Sequence, residues 1–330
     1  MPGQVRATQA LSRPGSMPAA AIVLVTLGMA CMSMLAEFDV GTLVRPETGA
    51  SRPGKAHPLG TDAQGYGLLR QLVARSASYL PHGALAVVIT VLTGCSLGSL
   101  AGYFSRGPSP IRSRREWALS WMDPPTRYVF ELLDAAPRLV VIFLLYAALP
   151  DRLRTFYAVS AAVGLTGGMR LGGVIRSEVI SLRRRDDIEA AVELGLRDTS
   201  IVWRHLLTTR LRPLTIAHAF QVAAEVMLVE TTLRFFFPSF GVPNSWGDLL
   251  IQARGNVFRS APYVAKPGSG GAVAAAASAP VRGRGMGLEE VAEVAHLWWL
   301  WVFPAAFITA NIIALYTLSD AVSGADHVDD

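Results

Sequence analysis

Six stretches of the chain are long and apolar enough to cross a lipid bilayer, which needs about 20 mostly apolar residues per helix. They cover residues 17–36, 79–103, 129–149, 156–175, 214–236 and 297–318. Composition agrees, because 17% of the 330 residues are charged, against about 25% in an average soluble domain. The sequence therefore predicts an all-α, polytopic membrane protein with about six transmembrane helices.

The first stretch, residues 17–36, follows Arg6 and Arg13, as the apolar region of a cleaved signal peptide would. Its apolar run is longer than such a region. Gly28 also stands three positions before Cys31, where a lipidated cysteine would be preceded by an aliphatic residue. We interpret this stretch as an uncleaved first span.

Arginine and lysine in short loops predict the orientation of a membrane protein. Placing the N-terminus inside gives the cytoplasmic loops slightly more of them, and much of the outer positive charge lies in the long segments 37–78 and 237–296. Long segments are translocated largely regardless of charge. An even number of spans then leaves both termini in the cytoplasm.

The chain divides into three parts on this interpretation. Residues 1–78 comprise an N-terminal cytoplasmic tail, the first span and an outer segment. Residues 79–322 form the core transmembrane domain, and residues 323–330 form an acidic cytoplasmic tail. Residues 264–287 are rich in Gly, Ala, Ser and Pro, which bury too little side chain to offset the entropy of ordering. We interpret 261–293 as a flexible insertion in the last outer loop.

Several chemistries have no support in the sequence. Neither lysine, Lys55 or Lys266, lies in the Gly-rich loop of a nucleotide-hydrolysing protein. The six histidines lack metal-binding spacing, and neither Ser177 nor Ser181 stands in a nucleophile elbow. A net charge of +5 is small for a nucleic-acid-binding chain of this length. We therefore predict no catalytic residue, metal or nucleic-acid partner.

The polar segment 176–212 follows the fourth stretch and is typical of a helix, a glycine turn and a second helix. Ala191 and Gly195 are four residues apart, so they share a helical face and leave a notch where another protein can approach. Asp198 or Thr199 can cap the second helix. A docking element is one interpretation, and an ordinary solvated loop is the other.

Part of this segment resembles a known motif. Glu189-Ala190-Ala191 with Gly195, followed by Arg204-His205, is similar to the EAA segment of ABC importer permeases. His57-Pro58-Leu59-Gly60-Thr61-Asp62 resembles the opening signature of the C-type dipeptide/oligopeptide permease family. Other positions agree in the same order: Ala101-Gly102-Tyr103-Phe104, Asp134, Pro137, Arg176-Ser177-Glu178 and Ser245-Trp246-Gly247. The resemblance covers roughly residues 17–260 and 295–322.

This resemblance implies a type I importer permease in a bacterial cytoplasmic membrane, paired with a homologous B-type permease. Two ABC ATPases, which hold ATP and magnesium, and an extracytoplasmic solute-binding protein complete such importers, and no cofactor is implied for this chain. The cargo would be peptides or a related small solute. The resemblance assigns coupling to the ATPases to the following residues: Glu189, Ala190, Ala191, Gly195, Asp198, Arg204 and His205.

The chain departs from the family pattern at one coupling position. Relatives usually end this segment with Leu-Pro, whereas Leu207 is followed here by Thr208. A membrane scaffold that kept the permease fold but lost coupling is therefore an alternative function.

Among the charged residues within the apolar stretches, three stand where relatives have small or apolar residues or beside an unusual aromatic run: Arg138, Glu225 and Glu230. An ionised group at that depth costs about 2.5–3.5 kcal/mol. The two glutamates are about 140° apart around a helix. One hypothesis pairs Arg138 with one of them and leaves the other on the transport path or a subunit interface. In the alternative, Arg138 extends to the lipid headgroups.

The signature His57–Asp62 also contains two residue types that bind metals. Two candidates without a third are weak evidence for a metal site. We favour a turn that leads into an amphipathic interfacial helix, with these residues on or near its apolar side: Tyr66, Leu68, Leu69, Leu72 and Val73.

Overall fold

The computed structural model describes residues 15–35, 50–62, 65–103, 128, 137–150, 152, 155–182, 194, 196, 200–201, 211–236, 244–260 and 297–324. Eight α-helices lie in these ranges: α1 (Ser16–Leu35), α2 (Leu68–Ser76), α3 (Tyr79–Tyr103), α4 (Arg138–Ala148), α5 (Phe156–Leu182), α6 (Arg212–Phe236), α7 (Trp246–Ser260) and α8 (Trp299–Ser323). Their β-structure is a single antiparallel bridge between Thr61 and Gly67. The predicted all-α class is confirmed for this part of the chain.

Six of the eight helices lie in the predicted apolar stretches, whereas α2 and α7 lie in the segments predicted to be outside the membrane. The third stretch is described from Pro137 onwards, and α5 continues seven residues past the predicted end of its stretch, to Leu182. By length and composition, four described segments can cross a membrane: α1, α5, α8 and Leu68–Tyr103, which combines α2 and α3. The total of six spans stays a prediction.

Close contact between α3 and α5 forms the centre of the bundle. A Cβ atom at Gly98 would lie 2.5 Å from the carbonyl oxygen of Gly172, and one at Gly94 would lie 2.8 Å from Leu171. Only glycine lets the two backbones approach this closely. Small residues at one face of each helix are the usual means of helix association in membranes, where lipid is as apolar as the side chains.

Polar side chains join the remaining long helices to one another. Thr26 of α1 donates a 2.6 Å hydrogen bond to the Asn311 side chain of α8. Gln221 of α6 donates to Ser319 of α8 at 3.0 Å. Both bonds are specific contacts between surfaces that are otherwise apolar, so α8 holds a fixed position against α1 and α6.

Replacing Gly98 by alanine is expected to lower the free energy of unfolding by about 1–3 kcal/mol, because the added methyl group meets backbone atoms that cannot rotate away. Thermal unfolding of the purified chain in mild detergent measures the effect. Gly83→Ala is the matched control, since Gly83 lies on the same helix and nothing is within 4 Å of its Cβ position. Equal unfolding midpoints for the two variants would contradict the tight α3–α5 crossing.

Candidate functional site

The predicted signature His57–Asp62 forms a tight turn that only glycine permits at its centre. Gly60 has a φ of +78°, a backbone conformation that is strained for any residue with a side chain. A Cβ atom there would lie 2.8 Å from the Ser51 carbonyl oxygen and 2.9 Å from Trp299. The Gly60 amide donates to the His57 carbonyl at 2.9 Å. Glycine is therefore required both by the backbone and by its neighbours.

The last two signature residues fix the turn to the rest of the protein. The Thr61 hydroxyl accepts a 2.7 Å hydrogen bond from the Ser51 amide. The Thr61 carbonyl accepts a second hydrogen bond, from the Trp299 indole at 3.1 Å. Asp62 accepts from the Tyr66 amide at 2.8 Å and from the Gln71 side chain at 2.7 Å. N–H donors thus occupy both carboxylate oxygens, which favours the turn over a metal site.

The predicted amphipathic helix after the turn is α2. Leu68 and Leu72 are buried in one cluster with Trp246 and Trp299, whereas Leu69 is 46% exposed. The apolar face of α2 is therefore covered by α7 and α8. Its position at a membrane surface stays a prediction.

The motif Ser245-Trp246-Gly247 attaches α7 to this region, and each of its three residues has a separate part. The Ser245 hydroxyl donates to Glu230 at 2.5 Å and accepts from the Asp248 amide at 3.2 Å, which caps α7. The Trp246 indole donates to the Leu72 carbonyl at 2.9 Å. Gly247 leaves room for Glu230, since a Cβ atom there would lie 2.7 Å from a carboxylate oxygen.

Glu230, one of the predicted intramembrane charges, is completely buried. Its second oxygen accepts a hydrogen bond from the Tyr79 hydroxyl at 2.9 Å. The hydroxyl groups of Tyr79 in α3 and of Ser245 before α7 therefore donate to the two oxygens of this carboxylate. Glu230 thus connects α6 to α3 and to the start of α7. These contacts show Glu230 joining helices to one another, and they do not place its carboxylate on a transport path.

Asp248 of α7 lies between two arginines from different helices. It binds Arg75 of α2 at 2.8 Å and Arg234 of α6 at 2.6 Å. Arg75 is 2% exposed and also contacts the Gln71 side chain, which holds Asp62. Burial by itself raises the pKa of Asp248, but the hydrogen bonds from Arg234 and Arg75 outweigh burial and lower that pKa.

We call these connected groups the Asp248 network: Gln71, Arg75, Tyr79, Glu230, Arg234, Ser245 and Asp248. Of its members, sequence analysis singled out Glu230 and, within a motif, Ser245. Arg234 offered a missed signal, because an arginine within an apolar stretch either pairs with an acidic side chain or extends to the lipid headgroups. Arg75 is preceded by an ordinary amphipathic pattern, which gave no indication that its charge would be buried.

The second charged group is centred on Arg138, and we call it the Arg138 cluster: Arg138, Arg170 and Glu225. Arg138 forms an ion pair with Glu225 across α4 and α6. Of the two glutamates, Glu225 is therefore the one that Arg138 contacts. Arg170 of α5 lies 3.7 Å from the same Glu225 oxygen. Arg170 was not predicted, although it stands within an apolar stretch.

The predicted coupling residues lie outside the described residues: Glu189, Ala190, Ala191, Gly195, Asp198, Arg204 and His205. The predicted insertion 261–293 also lies outside them. In the described ranges, no group of three His, Cys, Asp or Glu side chains is placed to hold a metal ion.

Comparison with known proteins relates the chain to transport permeases. It is 28% identical over 219 residues to the dipeptide transport system permease protein DppC of Alkalihalophilus pseudofirmus, which is 66% of each chain. It is 28% identical over 217 residues to the inner membrane ABC transporter permease protein YejE of Escherichia coli, covering 65% of this chain and 57% of the relative. The oligopeptide transport system permease protein OppC of Mycobacterium tuberculosis is 27% identical over 206 residues, or 62% of each chain.

The chain is similar to permeases of peptide-transport systems. This confirms the predicted resemblance to the dipeptide/oligopeptide permease family. The alignments span 57–66% of the relatives' lengths. No family model matches the chain.

Removing one arginine from the Asp248 network is expected to destabilise the protein. Arg75→Gln should lower the free energy of unfolding by about 1.5–3 kcal/mol, because a charged hydrogen bond is lost while Asp248 keeps Arg234. Chemical unfolding in detergent measures the change. Arg70→Gln is the control, since Arg70 is exposed on the same helix. A loss of equal size in both variants would argue against a specific role for the network.

The lowered pKa of Asp248 predicts how this contribution depends on pH. A carboxylate with a depressed folded-state pKa contributes stability at pH values above its unfolded pKa, about 3.9, and that stability is lost as the pH falls through the folded value. The difference in unfolding midpoint between the unmodified chain and Asp248→Asn should be constant from about pH 8 to 5. It should shrink only below about pH 4. A difference that already shrinks between about pH 7 and 6 would contradict the ion-paired state.

Proposed function

We propose that this chain is a membrane-spanning permease subunit of an ATP-driven ABC importer for peptides or a related small solute. The observation that carries the proposal is its similarity, over about two thirds of its length, to permeases of dipeptide and oligopeptide transport systems. The contacts of the signature turn support it, because His57–Asp62 and Ser245-Trp246-Gly247 meet around α2 in one hydrogen-bonded unit.

In this proposal, six helices span the bacterial inner membrane and both termini lie in the cytoplasm. A homologous B-type permease supplies the other half of the path. Two ABC ATPases bind ATP and magnesium, and an extracytoplasmic binding protein delivers the solute. The chain itself would hold no cofactor and catalyse no reaction.

The proposed coupling element is the segment containing Glu189–Gly195, with Asp198, Arg204 and His205 after it. Its two ends join α5 and α6, so a displacement by the ATPases would act on both helices. Packed helices respond by moving as rigid bodies, and such movements can alternate access to a path between two sides of a membrane.

The Asp248 network would act at the opposite end of α6. Arg234 and Glu230 attach α6 to α7, and α7 holds α2 and the signature turn through Arg75 and Leu72. Rocking of α6 would therefore carry this whole unit with it. In the proposed orientation, the unit lies on the side that receives the binding protein.

Substitution of Gly195 tests the proposal at the coupling element. A tagged chain is purified from membranes in mild detergent, its partners are identified, and ATP hydrolysis is measured. We expect a second permease and ATPases to copurify. Gly195→Glu should then release the ATPases or make hydrolysis insensitive to cargo, because a charged side chain would fill the notch that the sequence predicts beside Ala191. Gly195→Ala, a small replacement, should retain most of the coupling.

Two results would contradict the proposal. One is recovery of the chain without any ATPase under conditions that preserve other membrane complexes. The other is a set of partners and a rate of hydrolysis that are the same in both Gly195 variants. Either result would favour a scaffold that retains the permease fold.

A further inference from the structure

The helices α3 and α5 pack against each other along most of their length and run in the same direction. A Cβ atom at Gly164 would lie 2.7 Å from the Ala86 carbonyl oxygen. Further along both helices, one at Gly102 would lie 2.8 Å from the Arg176 carbonyl oxygen. The Thr90 hydroxyl also donates to the Gly164 carbonyl at 2.9 Å. Because backbone meets backbone at successive levels, sliding one helix past the other would force atoms to overlap.

A second set of helices, α1, α6 and α8, is joined through side chains. Gln221 binds Ser319 between α6 and α8, and Thr26 binds Asn311 between α1 and α8. Phe220 of α6 packs against the small apolar cluster that α1 and α8 form. Directional bonds and apolar packing together therefore hold these three helices to one another.

The two sets meet most closely from the middle of α6 to its outer end, which is the end nearest α7. There the Tyr79 hydroxyl of α3 donates to Glu230, whose side chain is completely buried. Other α6 side chains of this part are buried in one cluster with Ala86 of α3 and with residues of α5: Val222, Val226, Val229 and Leu233. A buried hydrogen bond within a closely packed cluster is costly to break, so this attachment is firm.

The inner half of α6 is attached differently in the described part of the chain. Leu214 packs against the apolar cluster at the inner ends of α3 and α5, and the Thr215 hydroxyl lies 3.7 Å from the Cys95 sulfur of α3. Apolar contact has no preferred direction and permits sliding. Between the two halves, Glu225 lies 3.7 Å from Arg170 of α5, and charge attraction falls off only gradually with distance.

The proposed coupling segment joins the two sets at this inner end. The helix α5 ends at Leu182 and α6 begins at Arg212, so residues 183–211 connect one helix of each set. Arg212 is 18 residues before Glu230, which is about 27 Å along the helix. A force on the coupling segment would therefore act on α6 far from its firm attachment.

We propose that α3 and α5 move as one rigid body against α1, α6 and α8, and that the two bodies turn about the Tyr79–Glu230 contact. This deepens the proposed importer function and rests on it. Displacement of the coupling segment changes the angle between α5 and α6, and α3 follows α5 because their backbones are in contact. The inner ends of the two bodies separate most. A moving boundary thus lies within this chain, between α5 and α6.

Spin-label distances test the division into two bodies in the complex that copurifies with the tagged chain. Labels are attached in pairs after Leu100→Cys in α3, Val174→Cys in α5 and Ile216→Cys in α6, three exposed positions towards the inner ends of their helices. The chain also carries Cys31→Ser and Cys95→Ser, and the partner subunits lack cysteine. Electron paramagnetic resonance compares the nucleotide-free complex with the complex trapped with ATP and vanadate.

The Leu100–Val174 distance, within one body, should stay constant to within about 1 Å, whereas the Leu100–Ile216 and Val174–Ile216 distances should change by about 3 Å or more, as expected for rigid-body movement. A Leu100–Val174 distance that changes as much as the other two would overturn the inference. So would three constant distances in a complex that hydrolyses ATP.

A disulfide provides a functional test, because Cys95 and Thr215 already lie in contact across the boundary. Thr215→Cys in a Cys31→Ser chain lets diamide join α3 to α6 at the inner end. The oxidised complex should lose most of its ATP hydrolysis, and dithiothreitol should restore it. The matched control combines Thr215→Cys with Cys95→Ser and should not respond to diamide.

Unchanged hydrolysis in a complex whose disulfide has formed would also overturn the inference. In that case, as with the contrary distances, the chain still works with its ATPases, so the proposed function would stand. If no ATPase copurifies with the unmodified chain, the proposed function fails and the inference fails with it.

Discussion

The carboxylate of Asp248 is the contact on which one end of the structure depends. It accepts hydrogen bonds from Arg75 of α2 and Arg234 of α6, two helices far apart in the chain. Both arginines are largely buried, and an arginine in that environment needs a carboxylate within reach. The same residue lies in the first turn of α7, whose cap Ser245 holds Glu230. The ion pairs of Asp248 therefore fix the position of α7, and α7 in turn fixes the position of the signature turn.

The Asp248 network and the Arg138 cluster differ in how deeply their side chains are buried. In the Asp248 network, Arg75 and Glu230 are almost completely buried and bonded to protein atoms. In the Arg138 cluster, Arg170 keeps 43% of its side chain exposed at mid-helix. Fully buried pairs fix the relative positions of helices, whereas an exposed guanidinium at that depth has a reason to exist only where water, a partner or a solute reaches it.

Hydropathy predicted the helices well because a membrane span must satisfy its backbone internally and cover itself with apolar side chains, and both requirements are local in sequence. It could not predict which polar groups meet. Glu225 and Glu230 were equal candidates for Arg138, and the choice depends on how α4 and α6 cross. Arg170 and Arg75 were missed for the same reason, since their partners lie on other helices. The signature turn was predictable in part, because Gly60 between Leu59 and Thr61 already indicated a tight turn.

The helix α6 links the two charged groups. Glu225 and Glu230 point in directions about 140° apart around it, so one face meets α4 and α5 while another meets α3 and the residues before α7. Rotation or tilting of α6 as a rigid body would therefore change both environments together. Gly247 makes this attachment close, since any side chain there would displace the Glu230 carboxylate. A helix held at one end by buried bonds and carrying Glu225 at its middle is suited to transmit movement along its length, as the proposed importer function requires.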